Sequence, residues 1–135
     1  MKRNIAILFL LNLCVCCAFA QKAKIKQDVN IFGVAISVTD SVVIMTDLQL
    51  LENVEMEKKT KFLSDREEYS RQLSDYIKKS GEGRMVTLVS YNLKKDKLEK
   101  RYLKIKQRYI KDGYVVKYIT RDSFVFAPVT EDDEG

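Results

Sequence analysis

All three cysteines of this chain, Cys14, Cys16 and Cys17, lie within its first 20 residues. If those residues leave, what folds after them has no disulfide and no thiolate metal site. Its shape must then come from burial of apolar side chains. Residues 1–20, MKRNIAILFLLNLCVCCAFA, have the three parts of a secretory leader. Lys2 and Arg3 come first, an apolar run from Ile5 to Val15 is broken only by Asn12, and Ala18-Phe19-Ala20 is an A-x-A cleavage signature. The apolar run is shorter than the ~20 residues that cross a bilayer, and no small residue precedes a cysteine as a lipoprotein signal requires. The expectation is an exported chain starting near Gln21, periplasmic or secreted, with no transmembrane anchor after cleavage.

Removing 20 of 135 residues leaves 115, enough for one core. The whole sequence contains no histidine. Histidine is the commonest general base and metal ligand, so its absence takes away most hydrolase triads and zinc sites. No pair of carboxylates stands out as an acid and a base. Asp40, Asp47 and Glu52 match no calcium-loop spacing, and Lys58-Lys59-Thr60-Lys61 lacks the glycines of a phosphate loop. These absences point to a non-catalytic protein with no cofactor or metal; catalysis through Asp, Glu, Lys, Ser or Tyr stays open, and an enzyme of unknown class is the third reading. Losing Lys2 and Arg3 lowers the formal charge of +5 by two, too weak a balance to argue for nucleic acid.

The expected organisation is a leader at 1–20, a polar, flexible lead-in at 21–28, one α+β domain at 29–129 and an acidic tail at 130–135. Phe32, Val34, Ile36 and Val38 alternate along a first strand; Asp40-Ser41 turns the chain into a second at Val42–Thr46. Residues 47–63 read as an extended connection or a continued strand. Ser64-Asp65-Arg66-Glu67 has capping-box spacing, and Tyr69, Leu73 and Tyr76 follow at helical intervals. Glu67 with Arg71 and Asp75 with Lys79 are spaced for ion pairs, and Gly81 supplies a left-handed stop. Residues 84–91 form a strand. A second helix over 93–111 carries Leu98, Tyr102, Ile105 and Tyr109, with Leu103 and Ile110 widening the stripe. Strands at 114–119 and 124–126 complete the order β-β-α-β-α-β-β. The pattern predicts a two-layer α+β sandwich: a mixed sheet of four to five strands with both helices on one face, the short strand–helix–strand connections favouring a right-handed parallel crossover.

The second helix has an unusual surface. At 100° per residue, Lys97, Lys100, Arg101, Lys104, Arg108 and Lys111 fall within one arc of about 100° that holds no acid. Like charges four residues apart cost about 0.2–0.5 kcal/mol a pair. At the helix start, Asn92 reads as an N-cap, while Lys94 and Lys95 oppose the macrodipole. Asn92, Lys94, Lys95 and the arc are therefore the candidate site for an anionic ligand: a glycan phosphate or carboxylate, a lipid headgroup, or an acidic segment of an envelope protein. The chain's own acidic tail is a further candidate to cover the arc.

Phe32-Gly33-Val34-Ala35, Thr46-Asp47, Lys58-Lys59-Thr60-Lys61-Phe62-Leu63, Tyr69-Ser70, Gln72-Leu73 and Phe124-x-Phe126 resemble a group of small secreted proteins of Bacteroides-like bacteria. The resemblance implies a Gram-negative envelope setting and an α+β domain, and brings no activity with it. Residues 84–119 are also similar to half of a SPOR peptidoglycan-binding domain, with Ser90-Tyr91-Asn92 where small residues are expected. That likeness implies glycan-strand binding as an alternative.

Overall fold

The computed structural model describes residues 23–129. The leader and the acidic tail lie outside the described residues. The order is β1 (Lys24–Ser37), β2 (Val42–Thr46), β3 (Gln49–Glu57), α1 (Arg66–Lys79), β4 (Met85–Asn92), α2 (Lys95–Lys111) and β5 (Val115–Ile119).

The long strand β1 organises the sheet. β4 runs antiparallel along one edge, from Asn30 to Ser37. On the other edge β2 pairs antiparallel with Val34–Ile36 and β3 with residues 24–31. β5 adds parallel to β2, so the widest part reads β4-β1-β2-β5. β4 and β5 are thus parallel, with α2 crossing between them as expected. Two register slips bend the hairpin. Val34 pairs with Met45 but Ile31 with Gln49, and at this slip the Gly33 N–H is donated to the Thr46 hydroxyl at 2.8 Å. At the second, Asn53 takes a positive φ of 55° and donates its N–H to the Asp28 carboxylate at 2.9 Å. Each slip leaves a backbone donor facing a side-chain acceptor, so neither is orphaned.

The α+β class, the mixed five-stranded sheet and the two helices agree with expectation. The placement of the helices is corrected by side-chain parity. Val29, Ile31 and Ala35 of β1 cluster with Tyr69, Leu73 and Ile77 of α1. Phe32 and Val34 cluster with Leu98 of α2, flanked by Tyr102, Ile105 and Tyr109. Successive strand residues point to opposite faces, so the helices cover opposite faces of the sheet. The reason lies in β1 and β2, which are apolar at odd and even positions alike and so demand cover on both sides.

Several local expectations are also corrected. Lys24–Asp28 are not a lead-in but the start of β1, paired with β3. No capping box forms: α1 starts after Asp65, which is left-handed and makes no side-chain cap. Arg71 pairs with Glu68, one turn back, at 2.6 Å rather than with Glu67. Phe124–Phe126 is not a strand. The Phe124 N–H closes a turn on the Thr120 carbonyl at 3.2 Å, and a side chain takes the next bonds: Gln49 donates to the Phe124 carbonyl at 3.0 Å and accepts the Phe126 N–H at 2.8 Å. Gln72 does the same at Ala127, at 2.9 and 2.8 Å. This C-terminal strap and α1 together close one face of the sheet, whereas α2 stands on the other.

Candidate functional site

α2 turns Leu98 fully inward, with Tyr102, Ile105 and Tyr109 half-buried beside it. Tyr102 meets Phe32 of β1 edge to face, at 5.2 Å between ring centroids. This seating fixes where the charges point. Lys106 lies over the Tyr118 ring of β5 at 5.1 Å, so that flank faces β5. On the other flank Arg101 donates to the Ser90 hydroxyl of β4 at 3.1 Å. The arc of Lys97, Lys100, Arg101, Lys104, Arg108 and Lys111 therefore stands on the β4 side of the helix. All six are exposed, and among the described residues none of them makes an ion pair. Leu103 and Ile110 do not widen the buried stripe; both are exposed.

Below the arc lies a groove of about 340 Å³ lined by Val34 and Leu88 of the sheet and Ile105, Arg108, Tyr109 and Asp112 of the helix. The groove is continuous with an open strip on β4, where Val86 is 58% and Leu88 40% exposed. Arg108 and Asp112 border this largely apolar groove, and the cations of the arc stand above it, which suits a partner that brings both negative charge and apolar side chains.

The start of α2 is arranged differently from the sequence expectation. Asn92 is the last residue of β4 and does not cap the helix. Its side-chain oxygen accepts the N–H of Lys94 at 2.9 Å, while Asn30 donates to the carbonyls of Asn92 and Leu93 at 3.4 and 3.2 Å. Lys94 occupies the cap position with no side-chain cap bond, and Asp96 stands in the first turn. That carboxylate answers the helix dipole itself. The structure brings Lys97, Arg101, Lys104 and Arg108 onto one side with the groove and separates Lys94 and Lys95 from it as exposed lysines at the helix end.

Burial raises the phenol of Tyr69, whose oxygen accepts the Val129 N–H at 3.0 Å. Burial likewise raises Tyr102, with lesser contributions from Tyr118 and Asp47. Arg71 is raised by its bond to Glu68 on the surface of α1. Among the described residues no three Asp, Glu, His or Cys side chains gather to hold a metal ion. No described helix is long and apolar enough to cross a membrane.

What sequence reading missed is the edge of the sheet beside the arc. β4, MVTLVSYN, carries no charge and, among the described residues, pairs only with β1. Its composition was the available signal, since edge strands usually bear charges, prolines or bulges. Comparison of the chain with protein-family models, with characterised proteins and with solved structures finds no match.

Proposed function

We propose that this chain is an exported, non-catalytic binding module that engages an anionic component of the cell envelope through the β4-facing side of α2. The observation that carries this reading is the charge segregation on one helix. Six exposed cations occupy one side with no ion-pair partner among the described residues, while Asp96 and Glu99 lie on the other. Elsewhere in the chain Glu68 pairs with Arg71 and Glu82 with Lys117, whereas this group of cations is left for a partner. Like-charged neighbours on α2 cost a few tenths of a kcal/mol a pair, a cost that an anionic partner offsets.

Retention of the protein on an anionic resin and on vesicles of anionic lipid, measured against ionic strength, tests the proposal. Binding should weaken steeply as salt rises through the range where the Debye length falls below about 10 Å. The triple substitution Lys97→Glu, Lys100→Glu and Lys104→Glu touches only exposed side chains and should abolish retention with an unchanged circular dichroism spectrum. Retention by the folded triple variant would refute the assignment.

A further inference from the structure

We infer that the outer edge of β4 takes up an extended acidic polypeptide segment as an additional strand beneath the basic arc. The inference rests on the proposed anionic partner and names its class: a protein segment, rather than a lipid or a glycan.

The ladder geometry identifies which backbone groups face outward. The Val38 N–H is donated to the Arg84 carbonyl at 3.1 Å, and this pair continues the β1–β4 register of Ile36 with Val86, Val34 with Leu88 and Phe32 with Ser90. Bonded pairs alternate with unbonded ones along an antiparallel ladder. The even residues of β4 therefore bond to β1, and Met85, Thr87, Val89 and Tyr91 turn their N–H and C=O groups outward. The Thr87 carbonyl confirms the direction, because Ser70 of α1 donates to it from outside the sheet at 2.9 Å. Ser70 covers that one acceptor. The edge beyond it, at Val89 and Tyr91, pairs with no strand among the described residues.

Charge selects the occupant. A strand added here would set alternate side chains on the α2 face, next to Val86 and Leu88 and below the long side chains of the arc. Arg101 already reaches β4 at Ser90. A second copy pairing through its own β4 would bring two cationic arcs together across the joint, which like-charge repulsion disfavours. A segment alternating acidic and apolar residues meets both the rim and the strip. Main-chain bonds then supply affinity, and the alternate side chains supply selectivity.

The test uses a synthetic peptide of alternating valine and glutamate and the same peptide N-methylated at alternate amides, which keeps the charge but cannot join a ladder. Amide hydrogen exchange of the protein is read by NMR. The unmodified peptide should slow exchange at Val89 and Tyr91 by about tenfold or more, and the N-methylated peptide should not. Equal binding of both peptides without protection at Val89 and Tyr91 would overturn strand addition and leave a purely electrostatic contact on α2. Protection that grows with protein concentration in the absence of peptide would overturn it in favour of self-pairing. Binding of neither peptide, at low salt, would overturn this inference; if anionic vesicles still retain the protein, the proposed function survives it.

Discussion

Gly33 lets β1 lie close against the layer above it. A Cβ there would lie 2.5 Å from Leu73 Cδ2 and 3.0 Å from Phe126 Cζ. Both neighbours are buried, so neither can retreat into solvent. Gly33→Ala should therefore destabilise the fold by about 1–3 kcal/mol, the usual cost of overpacking; a urea midpoint equal to that of the parent chain would contradict it. Tyr69 and Tyr102 make a second prediction. Burial holds both phenols protonated above their ordinary value of 10.0. Above that pH the unfolded chain gives up protons that the folded chain keeps, so stability falls as pH rises. The contribution is whole below 10.0 and is lost as pH climbs through the raised folded values. Tyr69→Phe and Tyr102→Phe should each flatten the alkaline limb of thermal melts taken between about pH 9 and 12. Tyr69→Phe also leaves the Val129 N–H without its acceptor, so the slope with pH, not the absolute melting temperature, is the quantity to compare.

At the scale of elements, the helices were legible because each announces its stripe at helical spacing, Tyr69-Leu73-Tyr76 and Leu98-Tyr102-Ile105-Tyr109, although in the first the structure buries Ile77 more fully than Tyr76. What periodicity does not encode is the side of the sheet on which each stripe lands. That depended on reading β1 as apolar on both faces, and Gly33 and Ala35 disguise its odd-numbered side in sequence because small residues carry little hydropathic signal. The C-terminal strap was illegible for another reason. Phe124-Val125-Phe126 has strand composition, yet it is held by Gln49, and Ala127 just after it by Gln72, side chains at least 55 residues away. No local pattern reveals such a clamp. The basic arc was legible residue by residue, whereas the uncharged β4 edge beneath it acquires meaning only once topology places β4 outside β1. The strap is also the element whose loss should cost most. Phe126 is buried against Tyr69, at 6.4 Å between ring centroids. Phe126→Ala should destabilise by about 3–5 kcal/mol through the cavity it opens, read from urea unfolding. A loss below about 1 kcal/mol would mean that the strap closes nothing essential.

At the scale of the whole molecule, the two faces of the sheet are closed unequally. One has α1 and the strap, with three fully buried helix residues and two glutamine clamps. The other has α2, anchored by Leu98 as its one fully buried residue, and it leaves Val86 and Leu88 open. A layer with fewer buried contacts opens at lower free energy than the global transition. Native-state hydrogen exchange should therefore show α2 amides exchanging through a sub-global opening while α1 amides exchange near the global limit. Leu98→Ala should widen that gap, because it removes the anchor of α2 alone. Salt then separates stability from binding. Screening relieves the repulsion between Lys97 and Arg101 and between Lys104 and Arg108, each worth about 0.2–0.5 kcal/mol. Added salt should slow α2 exchange while it weakens attachment to an anionic partner. Opposite responses of one helix to one variable would follow from a charge excess held on the surface for an external counterion. If salt instead sped up α2 exchange, the arc would be stabilising the helix through contacts of its own, and the cations would not be available to a partner.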